Sequence, residues 1–207
     1  MDVGVKICGL TRPEDVRAAE TAGASLLGFI VEATSSRKLT LANATALIQT
    51  ASKPTVAVTV DPDDALVQGI KSAGFTHIQL HGSETLARTA EIAKSGLSVI
   101  KACPVSSVDE VKLATEYSGA ADWLLFDAKP PKGSDQKGGH GLSFDWSILR
   151  IAPTPKQFIL AGGLTPENVR QAATETRAAF VDVSSGVESS PGVKDPALIQ
   201  AFMDQLS

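Results

Sequence analysis

Short apolar runs that read as strands alternate with longer segments of helical periodicity along the whole sequence, and that alternation restricts the chain to βα architectures. The strand-like runs fall at 3–8, 26–31, 55–60, 76–80, 97–102, 122–127, 156–161 and 179–184. Eight repeats in 207 residues leave about 26 residues per unit, which accommodates one strand, one helix and short loops but no second domain. Residues 1–207 are therefore expected to form a single-domain (β/α)8 TIM barrel. An open doubly wound sheet is the competing architecture, but the G-x-G-x-x-G turn that would mark it after the first strand is missing. Helix starts are expected at Thr11 with Pro13, at Asp61-Pro62, at Ser83 with Glu84 and at Thr165-Pro166-Glu167.

The sequence is 43% hydrophobic and 20% charged, apolar enough to bury a core and too apolar for a disordered chain. A net charge of −4 and a pI near 5.4 give no general attraction to nucleic acid or to an anionic membrane surface. No apolar run approaches the roughly 20 residues that cross a bilayer, and the start of the chain has neither the basic nor the apolar part of a signal peptide. A cytoplasmic location is expected. Cys8 and Cys103 lie outside any CxxC arrangement and on strands one and five, across the barrel from one another, so a disulfide and a structural zinc site are both unsupported. His77, His81 and His140 show no ligand spacing, and the sequence calls for no metal, no organic cofactor and no obligate protein partner.

Catalytic groups of such a barrel stand at the C-terminal ends of the strands, where this chain places Cys8, Arg37, Gln79, His81, Asp127, Asp182 and Ser184. Gln79 and His81 are two residues apart and share a strand face, as do Asp182 and Ser184. Each has a plainer reading beside the functional one. Cys8 suits a small buried hydrophobe equally well, Asp127 a loop cap, and His81 a satisfied core histidine. Ala161-Gly162-Gly163-Leu164 and Ser184-Ser185-Gly186-Val187 are small-residue turns that expose backbone N–H groups to an anion. They follow strands seven and eight, where barrels of this kind hold phosphate, so a small phosphorylated substrate is expected around Gly162, Gly163, Ser185 and Gly186. The long connection from Ala128 to Ser143 reads as a lid over that face or as a solvated surface loop.

Eight motifs occur in order: Lys6-Ile7-Cys8-Gly9, Gly28-Phe29-Ile30 with Ser36-Arg37, Gln79-Leu80-His81-Gly82, Leu125-Phe126-Asp127-Ala128, Gly138-Gly139-His140-Gly141, Phe144-Asp145-Trp146, Ala161-Gly162-Gly163-Leu164, and Asp182 through Glu188. With them the chain resembles the phosphoribosylanthranilate isomerase family over nearly its full length. The resemblance implies an Amadori rearrangement in tryptophan biosynthesis, turning N-(5-phosphoribosyl)anthranilate into 1-(2-carboxyphenylamino)-1-deoxyribulose 5-phosphate. By matched position it makes Cys8 the general base and Asp127 the general acid, a chemistry that needs no metal or dinucleotide. Arg37 is expected to hold the anthranilate carboxylate, because a guanidinium presents two coplanar donors. The surroundings of Cys8 are expected to favour its thiolate, the form able to accept a proton.

Val31 to Ser35 departs from the aromatic and proline-containing stretch that the family is expected to carry there. Three other readings compete. An indole-glycerol-phosphate synthase would share the glycine turns but add strand-end Lys and Glu residues. A bifunctional isomerase acting on a histidine-pathway substrate would favour aspartates on strands one and six. A non-catalytic phosphosugar-binding barrel would leave Cys8 and Asp127 without a task.

Overall fold

Thr55–Thr59, buried along its whole length, suits a parallel strand covered on both faces. Eight such strands close into a barrel in the computed structural model, which describes residues 3–129 and 144–207. They are β1 (Gly4–Ile7), β2 (Leu26–Glu32), β3 (Thr55–Thr59), β4 (His77–Leu80), β5 (Ser98–Val105), β6 (Trp123–Ala128), β7 (Ile159–Leu160) and β8 (Phe180–Val183), in that order around the barrel. β8 pairs in parallel with β1, with Lys6 opposite Asp182, which closes the sheet and removes the open doubly wound alternative. A short antiparallel hairpin, β9 (Glu188–Ser190) with β10 (Val193–Lys194), follows β8 and was not expected from the sequence.

The helices are α1 (Pro13–Thr21), α2 (Leu41–Ile48), α3 (Asp64–Ala73), α4 (Leu86–Ala93), α5 (Val108–Thr115), α6 (Ser147–Ile151), α7 (Val169–Thr176) and α8 (Pro196–Asp204). Several begin later than expected. Asp63 rather than Asp61 caps α3 by accepting from Leu66 N–H at 2.8 Å, and Thr85 rather than Ser83 caps α4 by accepting from Arg88 N–H at 3.2 Å. A turn over 166–168 precedes α7. A cap must sit immediately before the first helical turn, which places Asp63 and Thr85 rather than Asp61 and Ser83 in that position. β5 also runs on to Val105, pairing Pro104 with Asp127, which puts Cys103 inside the strand rather than at its end. Both cysteines are free.

Two apolar clusters result. The larger lies where helices cover the outside of the sheet, with Ile7, Phe29, Leu80 and Phe126 packed against Val16, Ile70, Val169 and Phe202. The smaller brings together Leu26, Val56, Ile100, Leu125 and Ile159 from five strands, which meet inside the barrel. No helix among the described residues is long and apolar enough to cross a membrane. Most of the Ala128–Ser143 connection, His140 and the glycines around it included, lies outside the described residues.

The loop after β4 is fastened by a buried ion pair. Lys101 Nζ donates to Glu84 Oε2 at 2.7 Å and to the Gly82 carbonyl at 3.0 Å, while Glu84 accepts from Asp61 N–H at 2.9 Å. Lys101→Met would strand the Glu84 carboxylate in the interior. Removing one partner of such a pair is expected to lower stability by about 3 kcal/mol, read as a shift in urea midpoint. An unchanged midpoint would mean that the pair does not hold this loop.

Candidate active site

All eleven residues singled out in the sequence line one cleft at the C-terminal end of the strands: Cys8, Arg37, Gln79, His81, Asp127, Gly162, Gly163, Asp182, Ser184, Ser185 and Gly186. It spans about 720 Å³ of space that includes open solvent. Ile30, Val58 and Val60 add an apolar wall.

β1 delivers Cys8. The residue follows Ile7, its N–H donating to the Val183 carbonyl of β8 at 2.9 Å. Lys6 lies two positions earlier and on the same face, fully buried, with Nζ 2.9 Å from Asp182 Oδ1. Burial alone would lower the Lys6 ammonium, but Asp182 and Cys8 outweigh it and push its pKa up to about 12. Burial pushes the Cys8 thiol above its ordinary value; Lys6 and Lys194 pull it back, and Asp182 adds to the rise. This corrects the expectation that the surroundings favour the thiolate: without a ligand, desolvation dominates.

Asp127 projects from β6, buried at 8% exposure. Its Oδ1 accepts from Ala128 N–H at 2.8 Å, and Oδ2 stands 3.4 Å from Nε2 of His81. Nδ1 of His81 is 3.0 Å from Nε2 of Gln79, so the carboxylate, the imidazole and the amide form one chain across the cleft wall. The buried Gln79 Oε1 atom meets no partner among the described residues. The cap reading of Asp127 is reduced to a contact with its own neighbour.

Arg37 lies in the loop after β2, 6% exposed. Its Nε and Nη2 donate to the two oxygens of Glu188, each at 2.7 Å, and Nη1 has no acceptor among the described residues. Glu188 in turn accepts from Lys194 Nζ at 2.7 Å. Burial works against the Glu188 carboxylate, but Arg37 and Lys194 hold it below the usual range; burial lowers the Lys194 ammonium against the pull of Glu188.

The two glycine turns pack against each other. Gly162 has φ +90°, and a Cβ there would fall 2.5 Å from the Ala128 nitrogen, so only glycine fits. A Cβ on Gly186 would fall 1.9 Å from the Leu164 carbonyl oxygen. The N–H groups of Gly162 and Gly163 meet no acceptor among the described residues, and Asn168 fixes the turn by donating to the Gly163 carbonyl at 2.9 Å. Unpaired amides ahead of α7 are a ready anion site.

Lys6 and Lys194 were missed in the sequence. The face-sharing that paired Gln79 with His81 also pairs Lys6 with Cys8 and would have found it. Nothing in the spacing places Lys194 beside Glu188, because the hairpin between them is built from residues without a strand pattern.

Residues 5–205 match the family model for N-(5'-phosphoribosyl)anthranilate (PRA) isomerase. The chain is 48% identical over 201 residues to N-(5'-phosphoribosyl)anthranilate isomerase of Hyphomonas neptunium, covering 96% of this chain and 94% of that one. It superposes on phosphoribosyl anthranilate isomerase of Thermotoga maritima with a TM-score of 0.88 at 34% identity, covering 98% of each chain. A structure of such an isomerase in complex with reduced 1-(o-carboxyphenylamino)-1-deoxyribulose 5-phosphate matches with a TM-score of 0.85 at 32% identity, over 98% of this chain and 97% of that one.

Gly186→Ala tests the anion turn. Its methyl group must push the turns after β7 and β8 apart, so binding of ribulose 5-phosphate by calorimetry should weaken roughly tenfold or more. Affinity equal to the wild type would remove phosphate from these turns.

Proposed function

The chain belongs to the N-(5'-phosphoribosyl)anthranilate isomerase family, and from that premise we propose which of its residues perform the steps of the reaction. The protein carries out the Amadori rearrangement of N-(5-phosphoribosyl)anthranilate in tryptophan biosynthesis. Asp127 gives a proton to the furanose oxygen, the ring opens, and an iminium forms between the sugar carbon C1 and the anthranilate nitrogen. Its positive charge acidifies the C2 hydrogen, which Cys8 removes, and the resulting enaminol tautomerises to the aminoketose. No electrons enter or leave, so acid–base groups suffice. The same iminium charge offsets the desolvation that keeps free Cys8 protonated, so base and substrate are activated together.

The phosphate sits on the amides around Gly162, Gly163, Ser185 and Gly186, and Arg37 turns its free Nη1 edge to the carboxylate. Gln79, His81 and Asp182 contact the sugar. The observation that carries this reading is one cleft holding a thiol, a carboxyl, a guanidinium and two amide turns. The departure at Val31 to Ser35 leaves Arg37 on that cleft, with Ala33 and Ser35 beside it. We assign the protein to the cytoplasm, whose reducing poise keeps Cys8 a thiol.

Cys8→Ser and Asp127→Asn should each keep the fold and lose roughly 100-fold or more in kcat, the usual worth of a positioned acid or base. Near-wild-type turnover in either folded variant would remove that residue from the mechanism. Turnover needs Asp127 protonated and Cys8 ionised together, a form with the same net proton count as carboxylate plus thiol. With the free thiol raised, kcat/KM should therefore stay level through neutrality up to 9.0, the unperturbed thiol value, and fall only beyond it. A fall that is complete below pH 9.0 would contradict Cys8 as the base.

A further inference from the structure

Arg37, Glu188 and Lys194 make a buried cluster in which two cations share one carboxylate. Side-chain exposures are 7% for Arg37, 4% for Glu188 and 0% for Lys194, so water screens little of the charge. Arg37 and Glu188 alone would be a neutral, mutually satisfied pair, whose field at the cleft falls off as a dipole. A guanidinium spent on its own carboxylate is a poor partner for a second one. Lys194 changes that sum. Its Nζ donates to the Glu188 carboxylate at 2.7 Å and to the Ser184 carbonyl at 3.0 Å, and the cluster carries one positive charge in excess. That excess cannot be met from the other side of the seam, because Lys6 already pairs with Asp182.

We propose that Lys194, itself out of reach of any ligand, sets the affinity of the cleft for the substrate carboxylate by keeping the Arg37–Glu188–Lys194 cluster net cationic. Arg37 lines the cleft, so the excess charge stands at its wall, on a guanidinium whose Nη1 has no acceptor among the described residues. Lys194 is thus a positioning residue acting through Glu188 and Arg37. The hairpin of β9 and β10 exists in this account to bring Glu188 and Lys194 together, and Arg12 Nη2 and Asp15 of α1 hold the Lys194 backbone from behind, at 3.5 and 3.4 Å. The inference rests on Arg37 meeting the carboxylate.

The test compares two ligands by calorimetry: the reduced product, 1-(2-carboxyphenylamino)-1-deoxyribulose 5-phosphate after reduction, and its phenylamino counterpart lacking the carboxylate. Lys194→Met neutralises the cluster and should cut affinity for the carboxylated ligand roughly tenfold, with the decarboxy ligand nearly unaffected. Glu188→Gln combined with Lys194→Met restores one net charge and should recover most of the loss, which a merely structural role would not do. Equal losses for both ligands, or no recovery in the double variant, would overturn the proposal. If Lys194→Met does not fold, Glu188→Gln alone decides: discrimination between the ligands should be at least that of the wild type, and a smaller one would overturn it. Arg37→Met, measured alongside, separates the two claims. If it leaves discrimination intact, Arg37 is not the carboxylate partner; if it abolishes discrimination while Lys194→Met does not, only the role of Lys194 fails.

Discussion

The seam between β8 and β1 is held by Lys6 and Asp182, paired at 2.9 Å with the lysine wholly buried, and the architecture of the cleft follows from it. Removing either partner would leave a charge stranded inside the barrel, at a penalty of roughly 3–5 kcal/mol. The folded pKa of Lys6 is raised, from 10.5 to about 12, so its stabilising contribution is fully present below 10.5 and disappears only as pH rises through 12. Across the neutral range the seam is therefore fixed. Cys8 leaves the barrel one step above it, and Ser184, Ser185 and Gly186 leave β8 on the adjacent strand. Cys8 and the turn carrying Ser185 and Gly186, the proposed base and phosphate turn, thus share a foundation.

Charge is distributed around the cleft in matched units rather than scattered. Lys6 answers Asp182, Lys101 answers Glu84 under the loop that carries His81, and Arg37 with Lys194 answers Glu188 with one cation over. At the proposed phosphate site positive potential comes from backbone amides, which impose no ammonium desolvation. The thiol stands where burial favours its neutral form, and in the proposed mechanism it ionises when the substrate iminium forms beside it. A base that ionises mainly in the complex is protected from the oxidation and alkylation that a standing thiolate invites.

Much of this was legible in the sequence because it is local. Strand runs show as apolar stretches, the glycine turns as dipeptides, and Cys8, Asp127 and Asp182 as polar residues closing strands. What was hidden depends on pairing over long separations. Glu188 and Arg37 are 151 positions apart, and Lys6 and Asp182 are 176 apart. Helix caps misled for a different reason, since Asp61 and Glu84 look like caps but serve as ligands for backbone N–H groups and Lys101. Residue type announces hydrogen-bonding capacity without saying which partner will use it.

The division of labour between Asp127 and Cys8 is the central claim, and substrate deuterated at the sugar C2 tests it most directly in single turnovers. The account predicts that Cys8→Ser retains or enlarges the primary isotope effect, because proton removal from C2 becomes slower still. It predicts that Asp127→Asn suppresses the effect, because ring opening then limits the rate before the C2 bond breaks. An isotope effect lost in the Cys8 variant and enlarged in the Asp127 variant would contradict the account.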